Sequence, residues 1–84
     1  MGRGIQDARY RQLIEKLAAS RRRAGISQAD LAHKLGKRQQ FVSKYESGER
    51  RLDAIEVIDI CRALSLDSVR LLHDAAYGNG ESLS

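Results

Sequence analysis

Proline and tryptophan are absent from these 84 residues, and there are three tyrosines, one phenylalanine, one cysteine and two histidines. Without proline, and with few aromatics, the apolar residues are mostly aliphatic and recur at helical spacing, which points to helices and no sheet. Cys61 has no partner for an internal disulfide, which suits a reducing cytosol. A free thiol on an apolar helix face reads as a small core residue, with a redox role as the alternative. No run of about eighteen apolar residues occurs, so no transmembrane helix and no membrane partner is expected. Met1-Gly2-Arg3-Gly4 leads into a polar segment, so no secretory leader is expected and the localisation read from the sequence is cytoplasmic. His33 and His73 are isolated, without a second ligand at metal spacing. Ser27 and Ser43 lack a nearby base, and no glycine-rich phosphate loop exists. A chain of this length can bury a modest core but not a core plus a deep cleft. No enzyme, cofactor or metal is expected.

Charge is present, and it is segregated. The formal net charge is +4, but residues 1–51 hold 13 Lys/Arg against 5 Asp/Glu and residues 52–84 hold 2 against 6. The first part carries +8 and the second −4. A polyanion would approach the first and avoid the second. A merely solvated surface explains the number of charges but not their separation.

The spacing predicts five helices. Helix 1 runs from about Asp7 to Arg23, with Tyr10, Leu13, Ile14 and Leu17 on one stripe, and Ala24-Gly25 ends it. Ser27 caps helix 2, with Asp30 where a capping box would place Glu or Gln. That helix reaches Leu35, and Gly36 supplies a left-handed turn. Helix 3 covers about Gln39 to Glu46 and stops at Ser47-Gly48. Asp53 caps helix 4, about Ala54 to Leu64; Asp67 caps helix 5, about Ser68 to Tyr77, closed by Gly78. The organisation read from this is a flexible arm at 1–6, one domain at 7–78 and a short disordered tail at 79–84.

Residues 26–46 carry the functional signal. Two short helices meet at Gly36, the first packed by Leu31, Ala32 and Leu35, the second by Val42 and Tyr45. At 100° per residue, Gln40 and Lys44 point away from Val42, flanked by Ser43 and Phe41, with Gln39 in the first turn. Glutamine offers a donor and an acceptor that match adenine N6/N7, and lysine donates to guanine O6 or N7. No acid occurs from Lys37 through Tyr45. The major groove, about 12 Å wide, admits one such helix. A helix corner without a DNA role would need the same apolar spacing; the chemistry of the free face favours a base-reading helix. Phe41 either meets a thymine methyl or folds back on apolar residues such as Leu52.

Ile26-Ser27-Gln28, Leu31-Ala32, Leu35-Gly36, Val42-Ser43, Tyr45-Glu46, Gly48 and Ala63-Leu64 resemble the signature of the phage repressor/Cro, or XRE-type, helix-turn-helix regulators, over about Leu13 to Leu66. The resemblance implies an all-α, compact five-helix, lambda-repressor-like DNA-binding domain with helices 2 and 3 as the helix-turn-helix. It implies base contacts at Gln39, Gln40 and Lys44, to which the face geometry adds Ser43. It also implies phosphate contacts at Ser27 and Gln28, and a bridge from Glu46 to Arg21 that fixes helix 3 against helix 1. The alternative for Glu46 is a solvated cap. Two departures stand out: the loop after Gly48 reads Glu49-Arg50-Arg51-Leu52-Asp53 where relatives often have Pro, and Ser65 stands where Gly is common.

Lys37, Arg38, Arg50, Arg51 and Arg22 are further phosphate candidates, although Arg22 and Arg23 also complement the dipole of helix 1. Six such contacts would make log K fall with log salt at a slope near about −5. Helix 4 is apolar over a wide arc, and Ile60, Leu71 and Tyr77 are candidates for a homodimer interface reading a palindromic operator with half-sites about 34 Å apart. The leading expectation is a sequence-specific transcriptional regulator acting on double-stranded DNA as a repressor. The alternatives are an antitoxin or adaptor that binds a protein partner, or a restriction–modification controller.

Overall fold

The computed structural model describes residues 7–78, so the expected arm at 1–6 and tail at 79–84 lie outside the described residues. Five helices follow one another: α1 Ala8–Arg23, α2 Gln28–Leu35, α3 Gln39–Ser47, α4 Ala54–Ala63 and α5 Ser68–Tyr77. No strand occurs among the described residues. The all-α reading therefore holds, with element ends shifted by one residue. Asp7 is the cap of α1 rather than its first residue, α3 includes Ser47, and Leu64 is the cap of α4.

Local chemistry starts most of these helices. The Ser27 hydroxyl accepts the Asp30 N–H at 3.0 Å, and the Asp30 carboxylate accepts the Ser27 N–H at 3.4 Å. Aspartate thus fills the place where glutamate is usual, with a longer return bond. Asp53 and Glu56 form a second such box at α4, at 2.7 and 2.9 Å. Asp67 accepts from Val69 and Arg70 at α5. Each cap contributes about 1 kcal/mol by satisfying donors that a helix leaves open. The start of α3 differs, because Arg38 offers its first turn no side-chain acceptor.

One closure is repeated at the helix ends. The N–H of Lys37 reaches back to the Ala32 carbonyl at 2.9 Å, and that of Glu49 to Lys44 at 2.9 Å. This closure needs a left-handed residue, which glycine adopts without a β-carbon clash. Gly36 supplies it at φ 70° between α2 and α3. After α4 the same bond, Leu66 to Cys61 at 2.8 Å, forms around Ser65 at φ 59°. Serine thus closes this turn with the bond that glycine closes elsewhere in the chain, at the cost of backbone strain.

The core gathers Leu13, Ile14 and Leu17 of α1, Leu31 and Ala32 of α2, Val42 and Tyr45 of α3, and Val57, Ile60 and Cys61 of α4, with Leu64 and Leu71. Burying an aliphatic side chain of this size is worth about 1.5–3 kcal/mol. α4 packs against both α2 and α5, while α1 packs against α3 and α5. This corrects two expectations. Ile60 is fully buried, because α4 is covered on more than one side, and Leu71 faces the core. Neither can form a dimer face. Tyr77 is half exposed, its ring 4.7 Å from that of His73. The exposed apolar residues are instead Ile55, Val69 and Leu72, beside Tyr77.

Candidate nucleic-acid interface

Val42 and Tyr45 anchor α3 from behind, both with no exposed surface. On the opposite side Gln40 and Lys44 are exposed, and Gln39 is exposed in the first turn. Their side chains make no hydrogen bond to the described residues, so their donors and acceptors are uncommitted. Ser43 is half-buried and its hydroxyl donates to the Gln40 carbonyl at 3.3 Å. With that proton engaged, Ser43 presents acceptor lone pairs outward.

Phe41 packs rather than projects. It is half-buried, meets Tyr45 edge to face with centroids 5.5 Å apart, and lies under Lys37 at 5.2 Å and Arg50 at 4.8 Å. Of the two sequence-based roles for Phe41, this geometry favours the inward one, with Tyr45 as partner. The Tyr45 hydroxyl is buried with no hydrogen-bond partner among the described residues, and burial pushes its phenol upward from the ordinary value.

Behind this exposed face lies a buried ionic bracket. Arg21 donates to Glu46 through Nε at 2.8 Å and through Nη2 at 3.1 Å, and through Nη1 to the Ile26 carbonyl at 2.8 Å. Glu46 also accepts from Gln28 Nε2 at 2.9 Å. The carboxylate is therefore no solvated cap. It ties α3 to α1 and to the first turn of α2, and Arg21 in turn holds the loop before α2 through the Ile26 carbonyl, while the charge on each side is matched. The bond from Gln28 was not expected from the sequence. It fixes the amide so that one Nε2 hydrogen faces Glu46 and the other remains to donate outward. Ser27 likewise spends an acceptor on its cap and keeps its O–H.

Lys37 and Arg38 are exposed before α3, and Arg22 is exposed at the end of α1. Arg51 lies over the Tyr10 ring at 4.4 Å. Arg50 is engaged: it forms a forked bridge to Glu56 at 3.0 and 2.8 Å and donates to the Arg51 carbonyl. Tyr10 closes the same loop by accepting the Leu52 N–H at 3.1 Å. Side-chain clamps thus shape this segment. The role of Tyr10 carries no local signal. Glu56, three residues after the capping Asp53, is the box pattern that would have revealed half of its role. Among the described residues no cluster of three His, Cys, Asp or Glu is arranged to hold a metal, and no helix is long and apolar enough to cross a membrane.

Comparison with known proteins agrees with this geometry. A family model described as helix-turn-helix matches residues 17–71. Among solved structures, an XRE-family like protein from Pseudomonas syringae pv. tomato str. DC3000 is 45% identical, with a TM-score of 0.81, over 89% of this chain and 92% of that one. No curated protein matches. With the signature residues, five-helix architecture and paired α2 and α3 in agreement, the chain belongs to the XRE-type helix-turn-helix family of DNA-binding regulators.

Proposed function

We propose that the protein is a sequence-specific transcriptional regulator that lays α3 in the major groove and represses by occluding promoter DNA. The observation that carries this reading is the exposed row of Gln39, Gln40 and Lys44, uncommitted among the described residues, on a helix anchored through Val42 and Tyr45. Gln40 and Gln39 supply paired donor and acceptor groups suited to adenine, Lys44 a donor suited to guanine, and Ser43 an acceptor. Ser27, Gln28, Arg22, Lys37, Arg38 and Arg51 contact phosphates and set the register of the helix. Such contacts add affinity for any duplex and carry no sequence information. The protein binds as a homodimer on a palindromic operator, and the exposed Val69, Leu72 and Tyr77 of α5 support that arrangement.

Selection of bound sequences from random duplex DNA tests the reading, with Gln40→Ala and Lys44→Ala beside the parent. Each substitution should erase the preference at one base pair, worth about 1–3 kcal/mol, and leave the other positions intact. Enrichment of no sequence by the parent, or identical preferences in all three proteins, would refute it.

A further inference from the structure

Arg50 stands beside the reading helix, yet a carboxylate holds it. Its Nη1 and Nη2 donate to Glu56 Oε1 and Oε2 at 3.0 and 2.8 Å. Glu56 is itself fixed, since Oε1 also accepts the Asp53 N–H at 2.9 Å and its side chain is only 16% exposed. The guanidinium lies 4.8 Å from the Phe41 centroid, and Lys37 Nζ lies 5.2 Å from the same centroid. Phe41 follows Gln40 in α3, so this group occupies the edge of the reading surface where a phosphate backbone would pass. The bridge to Arg50, followed by the Asp53 N–H and the nearby charges of Arg50 and Lys37, holds the Glu56 carboxyl below the usual range. The carboxylate is therefore ionised at neutral pH and cancels a positive charge at the interface.

We infer that Glu56 limits how tightly the protein grips any duplex, by holding Arg50 in an internal pair and withdrawing one cation from the phosphate-facing surface. The inference rests on the DNA-binding reading above. Because phosphates are the same in every sequence, the restraint acts on selected and unselected duplexes alike. It sets affinity without altering base preference. A regulator restrained in this way leaves unselected DNA more readily during search.

Glu56→Gln tests it, since glutamine can still accept the Asp53 N–H through Oε1 while losing the negative charge and the second acceptor that hold Arg50 in the fork. One added phosphate contact steepens the log K against log salt slope by about 0.9, which corresponds to about five- to tenfold tighter binding near 0.1 M salt. That gain should appear equally on selected and random duplexes and vanish when Arg50→Gln is added. Arg50→Gln alone should cost less affinity than Lys37→Gln. A Glu56→Gln protein that melts like the parent but binds with unchanged or weaker affinity overturns the inference. So does a gain that survives Arg50→Gln. If Glu56→Gln does not fold, the single Arg50→Gln decides: a severalfold loss with a flatter slope shows that Arg50 already grips phosphate, and overturns it. A parent that does not bind duplex DNA refutes the functional reading and this inference together, whereas a parent that binds normally beside an unchanged variant refutes this one alone.

Discussion

Glu46 gathers three hydrogen bonds from two side chains, and that density explains why a carboxylate is tolerated inside so small a domain. A buried charge is costly unless paired, but removing one partner costs more than the pair contributes. Glu46→Ala would leave Arg21, 8% exposed, with the Ile26 carbonyl as its remaining acceptor. The expected loss is about 3 kcal/mol of unfolding free energy, read from urea denaturation. A loss under about 1 kcal/mol would mean that water already screens the bracket. The arginine partner was expected from the family resemblance. The third participant was not, because Gln28 lies eighteen positions from Glu46 and no local pattern brings them together. Tyr45 shows the opposite case. Its aromatic body fits the core, but the place of its hydroxyl depends on every helix around it, and it ends without a partner among the described residues.

At the scale of the helix, what was legible in the sequence is what is encoded locally. Ser27 with Asp30, Asp53, Asp67, Gly36 and Gly48 mark starts and stops through bonds spanning a few residues, and those ends fall within a residue of expectation. Ser65 is the exception that tests the rule. It adopts the left-handed conformation a glycine would take at lower cost. Ser65→Gly should therefore stabilise the fold by about 0.5–1 kcal/mol, the relief of strain outweighing the added freedom of the unfolded chain. For a domain of this size that is a rise of about 2–8 °C in Tm by calorimetry. An unchanged or lower Tm would show that the serine is not strained. The α3–α4 loop is less legible, because Tyr10 and Glu56 hold it from other elements: Tyr10 carries no local signal, and the box pattern of Glu56 announces its bond to Asp53 but not its bridge to Arg50.

For the whole molecule, the apolar arc of α4 reports enclosure at Val57, Ile60 and Cys61, and leaves Ile55 outside. Periodicity counts apolar positions without saying which neighbour covers them, which is why Ile60 was misread. The surface left open is Ile55 on α4 with Val69, Leu72 and Tyr77 on α5, exposed by 64, 76, 42 and 49%. If α5 joins two copies, sedimentation at roughly tens of micromolar gives a dimer mass, and Leu72→Glu returns a monomer by placing a charge in a dry contact. A monomeric parent protecting a single half-site would reject the arrangement. The division between the two sides of α3 has one more consequence. Stability resides in the side chains that face inward, and the outward ones at 39, 40 and 44 hold up nothing. If α3 reads the major groove as proposed, exchange of those three letters redirects the protein to a different operator, one base pair at a time, while the scaffold melts at the same temperature.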